Sequence, residues 1–266
     1  MFVRSAEREL CFKGFTLITP AVSVGNVGQL AADLIISTLD MVRVGHFHTD
    51  CLIPMAGNNP YSSGEDDAAL LSTNAEVYCR SDLQLAVLQI RTPIVPTKTK
   101  SFRKILVSWI KTSGFSRTVL LSSCHAHQRD DQQLLSSPLR YLLTPALQGD
   151  TKGMETEETL QSLGWREMER VSAFPGITDS HTQCLYIPGG GVTKALYSDC
   201  CSENVSMVVL LLFCSEGDNV PDAFTLLNHL NDWLHLLDKP VQGSVPWRIP
   251  SSWRLLFGSG VPPTIF

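Results

Sequence analysis

The sequence predicts an α/β fold, a mixed and largely parallel sheet flanked by helices, and three observations carry that prediction. Short β-prone runs alternate with segments whose apolar residues recur every three or four positions, the pattern of strands feeding amphipathic helices. Met207 to Phe213 is continuously apolar, as a central strand covered on both faces must be. No Gly/Ser/Pro-rich linker divides the 266 residues into halves that each own a strand and helix set, so a single domain over 1–266 is expected.

The elements follow in order. Phe15 to Thr19 reads as a strand ended by Pro20, and Val27, Leu30, Ala31, Leu34, Ile35 and Thr38 then fall on one helical face. Val44 to Thr49 is the next strand, and Asn58 to Gly64 is a turn-rich loop. Ala75 to Cys79 and Leu83 to Ile90 form a hairpin about Arg80-Ser81-Asp82. Pro93 and Pro96 interrupt pairing before a helix that carries Phe102, Ile105, Leu106, Trp109 and Ile110 and stops at Gly114. Thr118 to Leu121 and Leu139 to Leu143 read as strands, Glu155 to Leu163 as a polar helix closed by Gly164, and Thr193 to Tyr197 as a short helical stretch. The last long helix has capping oxygens at Asp218 and Asn219, Pro221 in its first turn, and an apolar stripe from Ala223 to Leu237. Ser251 or Ser252 caps a short helix ahead of a tail at about 258–266.

Composition narrows the function classes. With 44% hydrophobic and 18% charged residues the chain buries a full core and is not disordered. Its first nine residues are too charged for a secretory leader, and no apolar run reaches the roughly 20 residues that span a bilayer, so no membrane partner is expected. The eight cysteines are scattered without a C-x-x-C pair, which fits reduced thiols inside the cell. The net charge of -5 disfavours bulk nucleic-acid binding, yet no acid occurs between Asp82 and Asp130 while Arg91, Lys98, Lys100, Arg103, Lys104, Lys111, Arg117 and Arg129 do. Such a basic face serves as a solvated surface, as a docking face for an acidic protein or as a nucleic-acid site, in falling order of expectation.

Sites that could carry chemistry are sparse. Gly25-Asn26-Val27-Gly28 lies between a strand and a helix, where backbone N–H groups can hold a phosphate or nucleoside, but the lysine and hydroxyl of a P-loop are absent. The plainer reading gives these glycines to a tight turn and close helix packing. Pro188-Gly189-Gly190-Gly191 is a second glycine loop with Lys194 nearby, suited to a flexible connection or to close approach of a partner protein more than to a catalytic anion cradle. His46, His48 and Asp50, and Cys124, His125 and His127, hold metal-ligating types at short spacing, yet neither set completes a tetrahedral site. No nucleophile elbow is present. Beyond Gly258-Ser259-Gly260, Pro262 and Pro263 hold Ile265 and Phe266 extended, either as a frayed end or as a peptide for a partner's lysine-lined pocket.

Three stretches, FTLITPAVSVGNVGQLAADLIISTLDM from Phe15, IPGGGVTKALYSDCCSENVSMVVLLLFCSEGDNVPDA from Ile187 and IPSSWRLLFGSGVPP from Ile249, resemble the proteasome assembly chaperone family. TDCLIPMAGNNPY, NAEVY and RYLLTP extend that resemblance through the intervening chain. It implies a nucleoside-phosphorylase-like three-layer α/β/α core without an enzyme's activity. It also implies a heterodimer with proteasome assembly chaperone 1 that binds proteasome α subunits, promotes α-ring formation and prevents aberrant α-ring dimerisation, in cytoplasm and nucleus. No cofactor, metal or catalytic residue is implied. The family is associated with a C-terminal hydrophobic-tyrosine-any motif that enters pockets between α subunits; here Ile265 stands where the tyrosine would, so the partner is expected to supply the better tail. Candidate partner-contacting residues are Thr264, Ile265 and Phe266, the loop residues Gly189, Gly190 and Gly191, and Lys100 and Lys104 on the basic helix. The competing reading is a small-molecule enzyme or sensor with an anion site at Gly25–Gly28.

Overall fold

The structure, a computed structural model, describes residues 1–5, 11–62, 70–149, 151–172, 183–238 and 246–255. Its thirteen described strands are β1 (Phe2–Arg4), β2 (Thr16–Pro20), β3 (Val42–Phe47), β4 (Ala56–Asn58), β5 (Leu71–Thr73), β6 (Ala75–Arg80), β7 (Leu85–Ile90), β8 (Arg117–His125), β9 (Leu139–Leu143), β10 (Arg166–Glu167), β11 (Arg170–Ser172), β12 (Gln183–Leu185) and β13 (Met207–Cys214). Nine of them form one sheet in the order β1-β3-β6-β7-β2-β8-β13-β9-β10, and β4–β5 and β11–β12 are separate two-stranded hairpins. The centre, β7-β2-β8-β13, is parallel throughout, while β6 pairs antiparallel with β3 and β7, and β9 with β13.

The α-helices are α1 (Val27–Thr38), α2 (Thr99–Ser113), α3 (Asp131–Leu134), α4 (Pro145–Gln148), α5 (Thr151–Ser162), α6 (Thr193–Ser202) and α7 (Val220–Leu234). Strand residues alternate between two cores, as the two-residue period of a strand requires. On one face Leu17, Leu120, Val209 and Leu211 meet Phe102, Leu106 and Trp109 of α2 and Leu196 of α6. On the other, Ile18, Val119, Leu121, Val208 and Leu210 meet Leu34 and Ile35 of α1 and Leu226 and Leu230 of α7. The result is the three-layer α/β/α sandwich that the resemblance implied.

Long-range contacts revise several local expectations. The strand expected at Val44 to Thr49 begins and ends two residues earlier, because Phe2, Val3 and Arg4 pair with Phe47, His46 and Gly45 and build an edge strand from a segment read only as a charged terminus. Phe2 is held there by Phe12 and Trp109, with ring centroids at 5.5 and 5.8 Å. The second hairpin strand starts at Leu85, since Gln84 takes a φ of +47° in the turn. The helix expected to end at Tyr197 runs on to Ser202, carried by the burial of Cys200 against the sheet. Of the two candidate caps before α7, Asp218 accepts the Val220 N–H at 3.1 Å, whereas Asn219 accepts from Gly217 N–H and donates to the Ser215 carbonyl and to Asp222. Ser251–Leu255 forms a 3-10 turn.

Candidate docking surfaces

In open α/β sheets, ligands enter the crevice beyond the carboxyl ends of the parallel strands, where the chain departs to opposite sides. Here that crevice lies between β2 and β8 and is closed by the chain itself. The carbonyl of Gly189 accepts the Val24 N–H at 2.8 Å, just past β2, and the neighbouring carbonyl of Pro188 accepts the N–H of His125 at 2.9 Å, at the end of β8. The glycines are needed for this approach. Gly189 has a φ of +76°, and a Cβ there would sit 2.7 Å from the His125 ring; Gly191 has a φ of +55°, and a Cβ there would strike the Val22 carbonyl.

The Gly25–Gly28 turn is likewise filled. A Cβ on Gly25 would lie 2.5 Å from the Asn219 side chain, and one on Gly28 would collide with the Leu121 carbonyl, so the second glycine lets α1 rest directly on β8. Beneath the turn, Ser23 and Ser123 hydroxyls meet at 2.8 Å and Ser123 donates to the Val24 carbonyl at 2.5 Å. The geometry is that of close packing, and the space an anion would use beside Gly25 is occupied by Asn219.

Neither candidate metal set assembles. Cys124 is fully buried with its thiol pushed up to about 12 by loss of water, His125 and His127 stack ring on ring at 4.9 Å, and His46 bonds the Thr73 hydroxyl at 3.0 Å. Among the described residues no three His, Cys, Asp or Glu side chains come together as a ligand set. All eight cysteines are free thiols. No helix among the described residues is long and apolar enough to cross a membrane.

Three surfaces remain for recognition. The first is the rim of the glycine plug, where Tyr186 is 49% exposed and touches Gln128; Leu134 and Leu135, at the end of the short α3 that follows β8, are also exposed, at 58% and 89%. The sequence reading placed Gly189 to Gly191 here but missed the leucines; their signal was an apolar pair inside the otherwise polar Arg129 to Ser137 stretch.

The second is the basic helix α2. Its charge is largely neutralised across the fold: Lys98 pairs with Asp50 at 2.5 Å, Arg103 with Asp199 at 2.7 Å and Lys111 with Glu203 at 2.8 Å. The Lys111 ammonium holds the Glu203 carboxyl below its ordinary range, as Lys98 does for Asp50. Arg91 belongs to a buried network instead, at 3.1 Å from Asp33, and Arg117 stacks over Trp233 at 5.0 Å. Lys100 and Lys104 are exposed and make no ion pair among the described residues, so sequence proximity grouped cations that the fold then separates by role.

The third is the strap at residues 246–255. Trp247 is buried and donates to Asn228 of α7 at 2.9 Å, Arg248 binds the Ser37 carbonyl and Asp40 past the end of α1, and Ser252 N–H reaches the Pro60 carbonyl at 3.2 Å. It crosses the α7–α1 face and leads to the tail; Thr264, Ile265 and Phe266 themselves lie outside the described residues.

The fold and its surfaces thus define a protein whose ligand crevice is sealed by its own backbone and whose distinctive features face outward. The PAC2 family model matches residues 17–240, and the chain belongs to that family. Among its relatives, Proteasome assembly chaperone 2 of Danio rerio is 68% identical over 266 residues, spanning 100% of both chains. Proteasome assembly chaperone 2 of Homo sapiens is 52% identical over 270 residues, again with 100% of each covered. Among solved structures, Pyrococcus furiosus PbaA, an archaeal homolog of proteasome-assembly chaperone, superposes with a TM-score of 0.61 at 17% identity, covering 85% of this chain and 84% of that one. Pyrococcus furiosus PbaB, an archaeal proteasome activator, gives 0.58 at 13% identity with 90% of each chain covered. These two archaeal proteins share the fold.

Proposed function

We propose that this chain is a non-enzymatic proteasome assembly chaperone of cytoplasm and nucleus. It pairs with proteasome assembly chaperone 1 and holds proteasome α subunits, so that α rings form and do not dimerise wrongly. The observation that carries this reading is 68% identity to a proteasome assembly chaperone 2 across the full length of both chains. The sealed crevice between β2 and β8 supports it, because work done by occupying a partner's surface needs shape and charge complementarity and no reactive centre. Gly189, Gly190 and Gly191 then act by shaping the plug and its rim, and Thr264, Ile265 and Phe266 by offering a peptide to an α-ring pocket.

The test is affinity capture of the tagged full chain from cell extract beside a form lacking Thr264-Ile265-Phe266, with captured proteins identified by mass spectrometry. Recovery of a second assembly chaperone together with α subunits, without mature proteasome, is the expected result. Capture of neither overturns the reading. Equal capture of α subunits by both forms removes the tail from it.

A further inference from the structure

We propose that the groove between α2 and α6 is the docking site for an acidic protein segment bearing an apolar side chain; this deepens the chaperone reading and rests on it. The groove is a cavity of about 460 Å³ with Val107 and the stem side of Lys100 and Lys104 on one wall, Asp199, Ser202 and Glu203 on the other, and Lys111 and Thr112 at one end. Its volume accommodates a few side chains of a partner.

Charge decides what fits. Three cations, Lys100, Lys104 and Lys111, line the groove against two carboxylates, Asp199 and Glu203. Both carboxylates are already engaged, Asp199 by Arg103 at 2.7 Å and Glu203 by Lys111 at 2.8 Å. Lys100 and Lys104 are left without an ion pair among the described residues, four apart on one exposed helix stripe, where like charges repel. They also occupy the first two turns of α2, the positive end of its dipole, and that first turn has no acidic residue to offset them. The free protein therefore carries a surplus of positive charge, which Glu203 offsets only in part through its longer-range pull on Lys104, beside Val107, the apolar residue of the lining. A carboxylate-bearing segment with one apolar side chain relieves the first and covers the second. A nucleic acid fits less well, because the chain carries a net charge of -5 and only two lysines of the groove are free of an ion pair among the described residues, too few to hold a phosphate backbone.

The experiment measures binding of the full chain to purified proteasome α subunits, offered one at a time, for wild type, for K100E/K104E and for K152E/R166E, which carries the same charge change on α5 and β10, outside the groove lining. At least one α subunit is expected to lose roughly tenfold or more in affinity with K100E/K104E only, and the K100R/K104R form to keep wild-type affinity. The melting temperature of K100E/K104E, unchanged or raised because acidic residues suit the positive end of the α2 dipole, separates this loss from unfolding. Equal weakening by both charge-reversed forms overturns the groove and leaves a net-charge effect; no weakening by either overturns it as well. Retention of the wild type on a DNA or RNA oligonucleotide column, lost in K100E/K104E, overturns it by giving the lysines to nucleic acid. Failure of wild type to bind any α subunit removes the chaperone reading and this inference with it, whereas equal binding of wild type and K100E/K104E removes the groove alone.

Discussion

Single residues differ most where a glycine stands for space and where it stands for conformation. Gly191 needs both, because its φ is +55° and a Cβ would strike the Val22 carbonyl, while Gly164 at +74° has nothing within 4 Å of the same position. Gly191→Ala is expected to destabilise by roughly 2–4 kcal/mol and Gly164→Ala by about 1 kcal/mol, read from urea midpoints at constant slope. The buried thiols supply a second test. Burial pushes Cys124 and Cys200 up to about 12 and Cys214 to about 11, from an ordinary 9.0. A raised value means that the folded state keeps its proton longer than the unfolded chain does. The stability tied to these thiols is therefore complete below pH 9 and is lost as pH climbs through the folded values. Urea titrations at rising pH should be flat to about pH 9 and fall beyond it, less steeply for Cys214→Ala once its lower baseline is subtracted. A fall that begins near neutrality would contradict the assignment.

At the scale of elements, the α1–β7 seam depends on one carboxylate. Asp33 accepts from Tyr61 at 2.5 Å and Gln89 at 2.6 Å, and pairs with Arg91 at 3.1 Å; Arg91 in turn donates to the Tyr61 hydroxyl at 2.7 Å. Asp33→Ala takes the carboxylate from the buried Arg91 guanidinium and one acceptor each from Tyr61 and Gln89, an expected cost of about 3 kcal/mol by chemical denaturation. It should also loosen the Pro60–Tyr61 turn on which the strap rests, seen as faster amide exchange at Ser252. None of this network was legible in the sequence, since Asp33 reads as one polar residue on an amphipathic helix and its partners lie 28 to 58 positions away. The same holds for Arg140, fully buried yet bonded to Glu169 at 2.8 Å and to two backbone carbonyls, and for the Asp199 and Glu203 partners of α2. What was legible is what periodicity encodes: β13, α2 and α7 each carry their burial pattern in consecutive residues. Edge strand β1 and the β4–β5 hairpin do not, because three residues hold too few alternations to stand out and pairing alone creates them.

For the molecule as a whole, the strap closes the α7–α1 layer. Removing residues 256–266 should leave the melting temperature within a few degrees of the full chain, whereas Trp247→Ala should cost roughly 3–5 kcal/mol, because its ring is buried in the core cluster of α1 and α7 and its N–H is spent on Asn228. A large loss from the short truncation would mean that the tail is part of the core. The sheet order has a further consequence. β13 fills the place between β8 and β9, and it is the last strand among the described residues, ending at Cys214. A nascent chain on the ribosome must therefore keep the facing edges of β8 and β9 unpaired until residue 214 has cleared the exit channel. The central apolar ladder then closes in one late step, with α7 laid over it immediately afterwards. Its supply to any partner is then paced by how fast that strand finds its slot.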